Sequence, residues 1–361
     1  MSFSLEKLFV DVFAPEVGDV VTIMYDLPHG AISDSEEWRE RRQMAEDWHE
    51  EIAGFAEKYG FSVNPLVTYE ATGAHNRELP EQGLSQGTRV GLEGVVRDST
   101  IVISMPQFSA SAPLAVLAKK YETLRVASLP GVSRAMRETG LSADYNRVAQ
   151  NCARLAPLFD RSDGIEVVFS TGHTCYFDIS DHKPALQDDG RLHPGAARDA
   201  LRFRNLPSGE VAVTPNEAPD SGTSGEIPVN YGEETAVFVV RHNRIVDVRG
   251  NGPMAAQMRQ EFAQEQALRN IAEVAIGCND KAVVTGNILE DEKAGFHWAY
   301  GRSDHLGGTV GPSDFTSPDR SLHHDTVYAR GNPIVCRRLD FVFPDGTRRT
   351  VIRDGFLDIG Q

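Results

Sequence analysis

Along the first half of the chain, short apolar runs alternate with longer stripes at helical spacing. VGDVVTIM (Val17–Met24) is rich in β-branched residues, enters through a Gly-Asp turn and closes at DLPHG. Trp38, Met44, Trp48, Ile52 and Phe55 then recur at helical intervals. They predict a long helix over Glu36–Lys58, capped by Ser33 or Ser35 and ended by Gly60. Phe61–Tyr69 reads as extended, and STIVIS (Ser99–Ser104) as a continuous apolar strand of the buried parallel type. A helix over Ala110–Leu124 and a strand over Arg125–Leu129 follow. This alternation predicts an α/β domain over residues 1–160, with an open, mostly parallel sheet and helices on both faces. No GxGxxG follows a strand, which argues against a dinucleotide site.

A helical passage, Asp144–Asp160, leads into the second half, and from Gly164 the pattern changes. The strands become short and hairpin-like: IEVVFS, TCYFDI, EVAVTP, EIPVN. AVFVVRHNRIVDVRG (236–250) reads as a hairpin turning at His242-Asn243, and LDFVFPDGTRRTVIR as another turning at Asp345-Gly346. One helix, Pro253–Arg269, lies between them. Residues 161–361 therefore read as a strand-rich α+β domain. A chain of 361 residues exceeds one ordinary core, which also favours two domains. NEAPDSGTSGE (216–226) reads as a loop, and there is no internal repeat, heptad or low-complexity tract.

Composition narrows the function. Forty per cent hydrophobic and 24 % charged is ordinary for a globular protein. The net charge of −16 comes with no Lys/Arg cluster, so nucleic acid is not an expected partner. No apolar run approaches the roughly 18–20 residues of a membrane span, and MSFSLEKLFVDVFAPEVGD lacks the succession of a secretory leader. Cys152, Cys175, Cys278 and Cys336 are widely spaced and form no CxxC pair. They read as reduced, buried thiols of a cytoplasmic protein.

The second half also carries candidate metal ligands, since His nitrogen and Asp/Glu oxygen serve zinc, manganese, cobalt or iron. Glu210 follows a Pro-x-Gly turn in NLPSGEV, where a surface acid is the ordinary alternative. Glu273 interrupts the apolar IAEVAIGCN, a costly place unless it is coordinated or paired, for instance with Arg269. His297 sits in GFHWAYG, where a hydrogen-bonded core histidine is the alternative. His323 and Asp325 form a His-x-Asp pair in LHHDT; if that segment is extended, both face one way and His324 the other. The acid run Glu290-Asp291-Glu292-Lys293 reads as a helical turn with a solvated polar face, and Gly307 and Gly308 permit close backbone approach. Spacing leaves the choice between a metal site and separate structural roles open.

NLPSGEV, IAEVAIGCN, NILEDEKA with the following HWAYG, the Gly-Gly step and the final HxD occur in an order that resembles the thermophilic-type metalloaminopeptidases, the aminopeptidase T (M29) family. The resemblance covers roughly residues 164–330, and the first half only as a general α/β layout. It implies a two-domain, commonly homodimeric hydrolase that releases N-terminal residues from peptides or cleaves a related small amide. It also implies two divalent ions (zinc, cobalt or manganese) on Glu210, Glu273, His297, His323 and Asp325, with a glutamate bridging. The ions would polarise a carbonyl and activate a water, and a free carboxylate would pass its proton. One position departs from the family. A tyrosine is expected seven residues after His297, and this chain has Asp304 there, followed by His305. Glu210, Asp304 and His305 are thus the catalytic candidates, the last two as an extra ligand or a proton shuttle in the tyrosine's place.

The alternative is a non-heme iron dioxygenase that opens 2,5-dihydroxypyridine, which resembles the same family. Its Fe(II) sits on two histidines and one carboxylate; His323 and Asp325 match two of these, and Glu273 stands at the third. A hydrolase of a non-peptide aromatic substrate lies between the two readings. A binding protein that keeps the metal site without chemistry is the non-enzymatic reading.

Overall fold

The computed structural model describes residues 3–181, 184–195, 202–317 and 320–360. The chain divides into two compact units. The first comprises Met1–Ala149, Asp188–Ser208 and Asp280–Ala282, and the second Gln150–Gln187, Gly209–Asn279 and Val283–Gln361. The content is that of a two-domain α/β fold.

In the first unit, Val20–Leu27 lies at the centre of an eight-stranded sheet. Ile101–Ser104, Arg125–Ser128 and Phe203–Asn205 follow on one side, all parallel. On the other side lie parallel Val67–Glu70 and then an antiparallel hairpin, Gln82–Ser85 and Thr88–Gly91. The mostly parallel sheet agrees with the alternating pattern, but Phe203–Asn205 joins it from well beyond residue 160. The long helix forms over Glu36–Tyr59. Its first turn is capped by Ser35, whose Oγ accepts the Trp38 N–H, and it ends at Gly60 with a φ of 76° that suits glycine. Trp38, Met44, Trp48, Ile52 and Phe55 are its buried stripe. The segment read above only against a secretory leader is a helix, Leu5–Phe13, capped by Ser4 and burying Leu5, Leu8, Phe9, Val12 and Phe13.

The second unit is built from antiparallel strands. An eight-stranded sheet includes the predicted hairpin Glu234–Arg241/Arg244–Arg249, which turns at His242 and Asn243, both with positive φ. In a five-stranded sheet, Glu210–Val213, Ile271–Gly277, Phe296–Gly301 and His323–Val327 lie side by side in that order, each antiparallel to the next. One face of this sheet is apolar: Val211, Val213, Val274, Ile276, Phe296, Trp298 and Tyr300 enter a core shared with Phe169, Phe177 and Phe238 of the larger sheet. Period two sends the alternate residues to the opposite face, where the candidate ligands are.

Candidate metal centre

Register brings the ligands together. Glu210 pairs with Gly277, while Glu273 and Asp325 are the two neighbours of Ala299. His323 pairs with Gly301 one step along, and His297 lies on the same face of the intervening strand. The strand of Glu273 has an irregularity between Ile271 and Glu273. Alternation with Val274 and Ile276 keeps Glu273 on the ligand face, and the extra residue is what lets Ile271, two positions earlier, enter the core as well. His324 faces the other way and packs its ring 5.1 Å from that of Tyr300.

The donors form two groups whose atoms lie within 4.8 Å of one another: Glu273, His323 and Asp325, and Glu210, Glu292 and His297. In the first, His323 Nε2 lies 2.9 Å from Glu273 Oε2 and 3.4 Å from Asp325 Oδ1. Ligands held at about 2.0–2.2 Å from one ion sit at similar separations from each other. The His323 Nδ1–H donates to the Arg302 carbonyl at 2.6 Å, which leaves Nε2 to face the acids. His297 repeats the device. Its Nδ1–H donates to the Gly295 carbonyl at 3.3 Å, and its Nε2 lies 3.4 Å from Glu210 Oε2 and 3.7 Å from Glu273 Oε1. Glu273 thus faces both groups with its two oxygens. Glu210 already has a cation, with its Oε1 2.6 Å from Lys293 Nζ, while its Oε2 is buried without a well-aligned hydrogen bond. The residues present therefore fit a divalent metal.

Electrostatics supports this. Burial disfavours charge on His323, yet Asp325 and Glu273 outweigh it and hold the ring protonated well above the ordinary histidine range. His297 is raised in the same way by Glu210 and Glu273. Burial likewise opposes ionisation of Glu273, but the two histidines hold it below the usual carboxylate range. In the protein by itself, protons on the imidazoles balance the acids. A divalent ion would displace those protons, as metal binding to histidine does generally.

Two residues at this centre were read differently from the sequence. Glu292 and Lys293 belong to the acid run expected on a solvated turn. The helical turn exists, as Ile288–Asp291 continuing into Glu292–Ala294, but Glu290, Asp291 and Lys293 are buried. Gly277 is what admits it: a Cβ there would sit 2.2 Å from the Glu292 carbonyl oxygen. Burial, reinforced by Glu210 and Asp325 against the opposing Lys293, pushes the Glu292 carboxyl up to about 8. The signal available in the sequence was the glycine on each side, Gly286 and Gly295, with the apolar FHWAY immediately after.

The remaining candidates lie as follows. Asp304 is half-exposed and accepts from Arg302 at 2.5 and 3.2 Å. It belongs to neither donor group. His305, its side chain 41 % exposed, packs edge-on against His323, centroids 4.7 Å apart, and loss of hydration on the packed face together with the neighbouring His323 lowers its pKa. Arg269, the partner considered for Glu273, instead donates to the Phe262 and Ile245 carbonyls. Glu217, unremarked in the sequence, accepts from Ser303, Asn270 and Thr309 and so fastens the segment that carries Asp304 and His305.

No family model matches the sequence, and neither does any curated protein. Among solved structures, the fold is similar to that of 2,5-dihydroxypyridine dioxygenase from Pseudomonas putida KT2440. The TM-score is 0.64 over 98 % of this chain and 95 % of that one, at 15 % sequence identity. A likeness at that identity establishes a shared fold over the whole chain, with the site to be argued from its own residues. Among the described residues, no helix is long and apolar enough to cross a membrane.

Proposed function

We propose that this chain is a metal-dependent enzyme whose ion is held by Glu273, His323 and Asp325, and that it opens the ring of a small hydroxylated aromatic with dioxygen. The observation that carries the reading is the convergence of those three donors, with His323 aimed by the Arg302 carbonyl. The likeness to a dihydroxypyridine dioxygenase along nearly the whole chain supports this reaction class over the peptidase. Three protein donors leave positions open for substrate, and Fe(II) in such a site supplies oxygen activation. The site departs from two histidines and one carboxylate, because Glu273 replaces a nitrogen donor with a charged oxygen.

The chain's own residues then have definite tasks. Glu292, whose carboxyl burial raises to about 8 and whose Oε1 lies 2.7 Å from Lys293 Nζ, is placed to exchange a proton with a reacting group. His305, neutral beside His323, offers a lone pair or an N–H to whatever occupies the open positions.

A second reading, hydrolysis of a small peptide or amide by a two-metal centre, is favoured by the second donor group and by the two-sided position of Glu273. The homodimer implied by the aminopeptidase resemblance belongs to this reading.

The test loads one preparation anaerobically with Fe(II), and others with zinc, manganese or cobalt. The first is assayed for oxygen uptake with dihydroxylated pyridines and benzenes, the others for release of arylamine from aminoacyl-arylamides. Substrate-dependent oxygen uptake by the iron form is expected. Arylamide turnover by the other forms, without oxygen uptake by the iron form, would replace this reading with the second.

A further inference from the structure

The two donor groups differ in what balances their charge. Among the described residues, Glu273 and Asp325 have only histidines as ionic partners. Imidazoles give way to an ion by losing a proton and becoming its ligands. The other group contains a fixed cation. Lys293 is fully buried, with Nζ 2.6 Å from Glu210 Oε1 and 2.7 Å from Glu292 Oε1. An ammonium touching both carboxylates takes the place of an ion that would bridge them, and a lysine cannot become a ligand without surrendering its charge.

The backbone holds that ammonium in place. The Lys293 carbonyl accepts the Asn279 N–H at 3.2 Å, and the Gly295 carbonyl accepts the Gly277 N–H at 2.8 Å. The turn is thus stitched, at Lys293 and again at Gly295, to the end of the strand that carries Glu273. Close packing against Gly277 leaves the turn no room to shift inward.

We propose that Lys293 is a built-in cation occupying the second metal position, so that the centre takes one divalent ion per chain, on Glu273, His323 and Asp325. The proposal rests on the metal-dependent reading above. It makes Lys293 the residue that determines whether this fold carries one ion or two. Glu210, Glu292 and His297, tied together by Lys293, then form a polar wall beside a single ion.

The test is a count of bound Mn(II). The full chain is stripped with chelator, equilibrated with Mn(II), and examined by elemental analysis and by the EPR signal of the bound ion. The wild type is expected to hold one manganese per chain with an uncoupled signal. Lys293→Met is expected to hold two, with the signal of a coupled pair. Two ions in the wild type, or one in a folded Lys293→Met chain, would overturn the proposal and leave the metal centre standing. No manganese in the wild type would overturn the metal-dependent reading as well, so the two failures are distinct. Should the methionine variant fail to fold, Lys293→Gln keeps a hydrogen-bonding head without the charge and is read by the same counts.

Discussion

Ala299 lies between Glu273 on one neighbouring strand and Asp325 on the other, and Gly301 lies opposite His323. The ligands can meet because these intervening side chains are small. At this scale, Glu273→Gln and His323→Ala are the direct variants. The first replaces a charged oxygen donor by a neutral amide oxygen and the second removes a nitrogen donor, while both leave the apolar face of the sheet untouched. Metal affinity should fall by at least the roughly 10–100-fold that loss of an outer hydrogen-bond partner alone costs, with the folded circular dichroism spectrum retained. Affinity equal to wild type in either variant would place the ion elsewhere. His323 and Asp325 were legible in the sequence because period two is a local rule, and Glu273 because an acid among apolar residues is conspicuous. Glu292 and Lys293 were not, since four consecutive charged residues ordinarily mark solvent. Their burial arises from contact with Gly277, fifteen residues before Glu292 in sequence.

Between elements, the decisive contact is the turn Glu292–Ala294 seated on the end of Ile271–Gly277. Gly277→Ala would drive a methyl into the Glu292 and Lys293 backbone, both within 2.6 Å of its position. The expected cost is about 1–3 kcal/mol, as for other overpacked sites, seen as a lower Tm together with a changed metal count. Gly54→Ala is the control. That glycine lies in the long helix with nothing within 4 Å of an added Cβ, so about 0.5–1 kcal/mol of stabilisation is expected there. A Gly277→Ala chain as stable as wild type and unaltered in metal binding would show that the seat is not needed. The long helix, the parallel strands and the hairpins were readable because each rests on periodicity or turn chemistry within a few residues. The hairpin Gln82–Gly91 has too few apolar positions to show alternation. The helix predicted over Pro253–Arg269 is α-helical only to Gln264, then continues after Glu265 as a short 3-10 turn.

Across the whole molecule, the first unit contains a second charged assembly unrelated to the metal centre. Asp19, just before the central strand, takes both oxygens to Arg125 Nη2 at 2.6 and 2.7 Å. Arg125 also donates to the Phe13 and Leu192 carbonyls, joining four segments of that unit. Burial favours the neutral acid, but Arg125, Thr100 and the Glu16 N–H outweigh it and hold the Asp19 carboxyl below its usual range. A carboxylate depressed in the folded state stabilises fully above its unfolded pKa, near about 4, and loses that contribution as pH falls through the folded value. Asp19→Asn should therefore cost about 3–5 kcal/mol at neutral pH. It should also flatten the acid limb of stability measured by urea titration below about pH 4. An unchanged acid limb would assign it to other carboxylates. The change of pattern at Gly164 marks where the antiparallel strands begin, while the first unit ends at Ala149, and the return of Phe203–Asn205 to the first sheet is a topological fact that no local pattern encodes.

The central claim is that one divalent ion sits on Glu273, His323 and Asp325, and the most direct test is to see it. Crystals grown with Mn(II) and measured at the manganese absorption edge should show one anomalous peak per chain, at about 2.0–2.2 Å from those three side chains. A chain that takes up no ion, or whose only peak lies away from His323, would contradict the account.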